Sequence, residues 1–121
     1  MLTSVYRLVR PRQFELVFND ITLDKSHVIV HPVRLSICNA DQRYYQGFRA
    51  ENILRKKLPM ALIHEAVGRV AFDPTGQFEE GTLVVMIPNT PTEKDDIIAE
   101  NYLRSSQFRD SGFDGFMQEY V

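Results

Sequence analysis

The chain has 121 residues, a formal net charge of −2, and 44% hydrophobic, 25% charged and 11% aromatic residues. That length suits one cored domain, the composition is globular and not disordered or collagenous, and the near-neutral charge argues against a nucleic-acid or anionic-membrane partner. The single cysteine permits no intramolecular disulfide and no four-thiolate metal site, which fits a reducing, cytoplasmic setting; no segment reads as a signal peptide or a membrane span.

Val5 to Val9 and Phe14 to Phe18 flank Pro11, and the alternation of Phe14, Leu16 and Phe18 with Glu15 and Val17 predicts a hairpin-like start. His27 to Val33 is a β-branched run in which Pro32 confines the strand to an edge, a bend or an end. Asn39 to Gln46 predicts a short helix opened by an Asn cap and closed at Gly47. Ala66 to Phe72 and Thr82 to Ile87 predict two more strands, joined through the turn chemistry of Asp73-Pro74-Thr75-Gly76. Thr90, Pro91 and Glu93 match a capped helix start, which predicts a second helix running toward Leu103. Ser105 to Phe116 reads as a loop leading into a last strand, Phe116 to Tyr120. Many short strands with two small helices make the fold class mainly β, an antiparallel barrel with helices at its edges.

Cys38, followed 26 positions later by the adjacent pair His64 and Glu65, offers a thiolate, an imidazole and a carboxylate. Such a set suits Zn²⁺ and leaves open the fourth position that catalysis requires. Each member also has an ordinary explanation, since a lone Cys or His is commonly a satisfied core residue. Neighbouring side chains on a strand point to opposite faces. Cys38 and His64 are therefore the preferred ligands, with Glu65 either completing the shell or standing behind it. Asp41 either orients His64 through its other ring N–H or is a solvated carboxylate at a helix start.

Around these residues the sequence resembles the zinc-dependent medium-chain alcohol and polyol dehydrogenases. The likeness runs in order through Val28 to Asp41, Leu62 to Val70, Phe78 to Pro88 and Asp114 to Val121. Within that family, Leu35 to Tyr45, Leu54 to Met60 and Pro88 to Glu93 are most similar to the branch that reduces ribulose 5-phosphate to ribitol 5-phosphate for bacterial teichoic acid or capsule. The resemblance implies a GroES-like β-barrel, one catalytic zinc on Cys38, His64 and Glu65, NADPH as hydride donor, a sugar-phosphate substrate and a homo-oligomeric full-length protein. It also implies that the chain is the front part of a catalytic domain. It lacks a G-x-G-x-x-G dinucleotide motif, the Rossmann domain and a further ligand downstream, so it is expected to be inactive alone.

Departures from the family pattern are informative. Ile63 stands where the family usually has Gly, and Ala40 stands where many relatives have a Ser or Thr that relays a proton. Tyr44, one helical turn beyond Ala40, or a metal-bound water could serve instead, and Tyr44 is equally explained as a packed helix residue. No cysteine occurs between Thr90 and Gly112, so the second, structural zinc of four-cysteine relatives is not expected. Arg43 and Arg49, with Arg55, Lys56 and Lys57 nearby, are candidates for holding a substrate phosphate or are solvated surface cations. A metal-free reductase of the quinone-reductase type and a ring-forming binding module like GroES are the competing readings.

Overall fold

The computed structural model describes residues 1–90 and 107–121. Strands β1 (Leu2–Arg10) and β2 (Gln13–Asp20) form an antiparallel hairpin, with Leu2 opposite Asp20 and Val5 opposite Val17. Thr3, Val5 and Leu8 face inward. Strand β3 (Ile29–Ser36) pairs with β4 (Glu65–Phe72), which pairs with β5 (Leu83–Met86), all antiparallel. The register of β3 slips between Pro32 and Arg34, as expected of a strand whose proline cannot donate to the ladder. Two two-residue strands, β6 (Asn89–Thr90) and β7 (Gln107–Phe108), pair beyond β5.

The two larger sheets are joined by the C-terminal segment. Tyr6 N–H donates to Met117 and Glu119 N–H to Ser4, while Val30 and Val121 exchange both backbone hydrogen bonds at 2.8 and 2.9 Å. The segment expected as a strand from Phe116 to Tyr120 thus lies between β1 and β3, but only Gln118 makes a bridge, to Val5. The Gln118 N–H turns back to the Phe116 carbonyl and interrupts the ladder. Beneath it, the buried cluster of Leu8, Tyr44, Met60, Leu62, Ile63, Met86 and Phe116 forms the core.

Helix α1 (Asn39–Gln46) has the expected bounds but is capped one residue earlier than expected: Cys38, with extended backbone, is the N-cap, and Gly47 closes the helix at φ 75. Helix α2 (Glu51–Lys57) was not expected. None of its residues is fully buried and only Leu54 packs partly against the core, so it offers little apolar stripe to read. Its supports are Glu51 in the first turn, three cations in the last, and a Glu51–Arg55 ion pair at 2.6 Å, an arrangement that favours the helix dipole. The helix expected from Thr90 toward Leu103 lies outside the described residues apart from Thr90, which belongs to β6. Among the described residues no helix is long and apolar enough to cross a membrane.

Candidate metal centre

Cys38 sits where β3 gives way to α1, so its side chain is fixed by the helix start. Asp41, at the third helical position, reaches back to accept the Cys38 N–H at 3.0 Å, and its other oxygen accepts the Ile63 N–H at 3.1 Å. One buried carboxylate therefore ties the thiol's backbone to the residue before His64.

The backbone of 61–63 is held from the other side. Gly115, Phe116 and Met117 donate their N–H groups to the carbonyls of Ala61, Ile63 and Leu62. Ile63 then turns with φ 78, a left-handed conformation disfavoured for a β-branched residue by about 1–2 kcal/mol. This is the position where a glycine was the family expectation, and isoleucine adopts the glycine-type backbone. The turn delivers His64 to the cluster and leaves Glu65 as the first residue of β4.

Ligand-type atoms of Cys38, Asp41, His64 and Asp110 all lie within 4.8 Å of one another. His64 Nδ1 is 3.8 Å from Cys38 Sγ and 3.2 Å from Asp110 Oδ2. Two donors on one tetrahedral zinc, at about 2.3 Å for sulfur and 2.0–2.1 Å for nitrogen or oxygen, stand about 3.4–3.6 Å apart, so both spacings suit a shared ion. The His64 ring, 22% exposed at its side chain, also packs at a tilt against Phe108, ring centroids 5.6 Å apart. The donor chemistry of sulfur, nitrogen and carboxylate oxygen fits zinc.

The electrostatics of the site oppose negative charge on Cys38 and Asp110 and favour it on Asp41. Burial pushes the Cys38 thiol up. Burial, then the neighbouring Asp41 carboxylate, pushes Asp110 up to about 9. Burial works against Asp41 as well, but hydrogen bonds from the Asp110 carboxyl and from the backbone N–H groups of Cys38 and Ile63 outweigh it and hold Asp41 below the ordinary carboxylate range. A divalent cation would favour the anionic form of each of these groups.

The other expected residues are placed differently. Glu65 stands outside the cluster, its side chain 54% exposed and its Oε1 3.8 Å from the opposite ring nitrogen of His64. Tyr44 is buried in the core with the Arg49 guanidinium 4.2 Å from its ring centre, and burial raises its hydroxyl pKa. Arg43 is exposed on α1, and Arg49 is half-buried with an unpaired Nε. An open groove of about 540 Å³ passes His64 and Glu65, lined also by Arg34, Val67, Val85 and Ile87. Asp110 is the site residue that the sequence did not disclose: in Arg109-Asp110-Ser111-Gly112 an aspartate before a glycine is ordinary turn chemistry.

Residues 24–121 match the family model described as the alcohol dehydrogenase GroES-like domain. The chain belongs to that family. All of the GroES-like domain described here aligns with ribulose-5-phosphate reductase 2 of Staphylococcus aureus at 65% identity and with the ribulose-5-phosphate reductase of Bacillus spizizenii at 60%, covering 36% of each relative. The chain thus spans about a third of the length of these curated relatives. Among solved structures the whole domain superposes on S. aureus TarJ in complex with NADPH, with 48% identity, a TM-score of 0.73 and 31% of that chain covered. It also superposes on Escherichia coli L-idonate 5-dehydrogenase with a TM-score of 0.82 at 24% identity, covering 37% of that chain, a likeness of fold alone.

Proposed function

We propose that this GroES-like domain is the zinc-binding part of a reductase that converts ribulose 5-phosphate to ribitol 5-phosphate with NADPH, working with a nucleotide-binding domain not contained in these 121 residues. The observation that carries the reading is the convergence of Cys38 and His64, 26 residues apart in sequence, at 3.8 Å beside buried carboxylates. The reductases from S. aureus and B. spizizenii, matched along the entire chain, support the substrate, and the NADPH complex of TarJ supports the cofactor.

When bound, zinc supplies Lewis-acid polarisation of the keto oxygen, and NADPH supplies the hydride. The chain's own residues do the rest. Cys38 and His64 would hold the ion, and Asp41 positions both by accepting the N–H of Cys38 and that of Ile63, the residue before His64. The groove beside His64 gives the substrate its approach, with Arg43 and Arg49 as candidates for its phosphate and Arg34 as a further cation on the groove wall. With Ala40 unable to relay a proton, Tyr44 is the candidate donor from this chain.

The test is kinetic, in the protein that unites this domain with its nucleotide-binding partner. Cys38→Ser and His64→Ala should each remove NADPH oxidation by ribulose 5-phosphate. Arg43→Ala or Arg49→Ala should weaken kcat/KM for ribulose 5-phosphate by 10-fold or more, about 1.4 kcal/mol, while sparing unphosphorylated ribulose. Full activity without either zinc ligand would exclude the proposal, and equal losses on both sugars would remove the phosphate assignment.

A further inference from the structure

We propose that the free edge of β2 is the docking surface for a second copy of this chain, which adds its own β2 antiparallel to the first about a two-fold axis at Leu16. The inference concerns assembly and does not depend on the zinc reading.

The edge is open. Met1 and Ile21 exchange both backbone hydrogen bonds, at 2.8 and 3.0 Å, and the same register runs on through Thr3 opposite Asn19 and Val5 opposite Val17. The odd residues of β2 therefore spend their backbone groups on β1. The even residues Phe14, Leu16 and Phe18 turn their N–H and C=O groups away from it, and among the described residues none of these groups meets a partner. The far edge of β1 is filled, since Tyr6 and Leu8 donate their N–H groups to Met117 and Met60.

The side chains along this edge are apolar where they meet water. Leu16 is 49% and Phe18 66% exposed, and on the same face of β1 Tyr6 is 47% exposed. A solvated edge is ordinarily blunted by charge or proline, whereas an unpaired edge with exposed aromatic and aliphatic side chains is a template for another strand.

Symmetry selects the occupant. With the axis at Leu16, an antiparallel second copy sets its Leu16 opposite Leu16, its Phe18 opposite Phe14, its Asn19 opposite Gln13 and its Asp20 opposite Arg12. Apolar meets apolar, amide meets amide and cation meets anion, and every pair but the central one occurs twice. Phe18 of the second copy arrives beside Phe14, which already stacks on Tyr45 with ring centroids 5.9 Å apart. Moving the axis to Glu15 sets that carboxylate against its own copy, and moving it to Val17 sets Phe14 against Asp20, so β2 complements itself best in one register. The patch is the same on both copies, so the contact closes as a dimer and does not propagate.

The test is sedimentation equilibrium and disulfide trapping, on the 121-residue chain and on the longer protein that unites it with a nucleotide-binding domain. The parent chain should dimerise, and Leu16→Lys, at an exposed position, should weaken self-association 10-fold or more with unchanged circular dichroism. A parent chain still monomeric at about 1 mM, or a Leu16→Lys variant that dimerises as tightly as the parent, overturns the proposal. Facing residues of a hydrogen-bonded pair have Cα atoms about 5.5 Å apart, within disulfide reach. Mild oxidation should therefore bridge Leu16→Cys to its own copy, as located by peptide mass mapping, in both the chain and the longer protein, and should leave Phe18→Cys unbridged. If Leu16→Cys bridges no faster than Phe18→Cys, or bridges in the chain and not in the longer protein, the edge is not the docking surface of a second copy.

Discussion

Asp41 holds Ile63 by a hydrogen bond of 3.1 Å across 22 residues of sequence, and through it the start of α1 and the turn before His64 become one unit. Replacing Asp41 by Ala removes a buried acceptor of two backbone N–H groups and leaves both unsatisfied. The expected cost is about 3 kcal/mol in chemical denaturation, with Asn costing less because it keeps one acceptor oxygen. Zinc affinity should fall in parallel, because the backbones that carry Cys38 and Ile63, the residue before His64, are released.

The left-handed backbone of Ile63 makes a second prediction. At ordinary buried positions Gly is worse than Ala by roughly 0.5–1 kcal/mol. At φ 78 alanine keeps the strain and glycine removes it, while both lose the isoleucine's buried volume. Ile63→Gly should therefore unfold at the same urea concentration as Ile63→Ala or at a higher one. Glycine clearly worse than alanine would contradict the strained turn.

Gly115 packs with its Cα against the carbonyls of Leu62 and Ile63, and a Cβ there would stand inside contact distance of both oxygens. Gly115→Ala must push the C-terminal segment away from 61–63, breaking the Gly115-to-Ala61 hydrogen bond of 2.7 Å. A loss of about 2–3 kcal/mol is expected, together with weakened zinc binding, since His64 follows the displaced segment. Unchanged melting would show that this strand-like contact is not needed.

How far these features were readable depends on the range of the interaction behind them. The hairpin of β1 and β2, the strands β3 to β5 and helix α1 were legible because alternation and cap chemistry are local signals, and the Gly47 stop matched its φ of 75. The meeting of Cys38 and His64 at 3.8 Å could be anticipated because few residue types combine to bind zinc, which singled the two out. Helix α2 was not, because no residue of it is fully buried and only Leu54 packs partly against the core, too little for a periodic stripe. Asp110 escaped notice for another reason: its role arises only when the chain around Arg109 folds back onto His64, and its local context is that of any turn. Asp41 was visible, but the contact expected of it at the His64 ring falls to Asp110, while Asp41 serves backbone amides that no sequence pattern announces.

Acid should dissect a different part of the molecule. Arg7 makes a two-pronged pair with Asp114, at 2.6 Å for the shorter contact, and Asp114 also accepts the Ala61 N–H. Burial works to raise the Asp114 pKa, but the Arg7 and Ala61 hydrogen bonds outweigh it and hold the carboxyl below its usual range. A carboxyl depressed in the folded state binds fewer protons there than when unfolded, so its contribution is complete above pH about 4 and disappears as pH falls through the folded value. Thermal melting from pH 5 down to pH 2 should drop steeply in the parent chain and less steeply in Asp114→Asn, which starts lower. Parallel curves would remove Asp114 from the acid response.

The most direct test of the whole account is the zinc content of the purified chain after exposure to zinc and exhaustive dialysis. About one zinc per chain in the parent, and none in either Cys38→Ser or His64→Ala while both remain folded by circular dichroism, is the predicted result. A parent chain that retains no zinc, or a Cys38→Ser, His64→Ala double variant that retains as much as the parent, would contradict it.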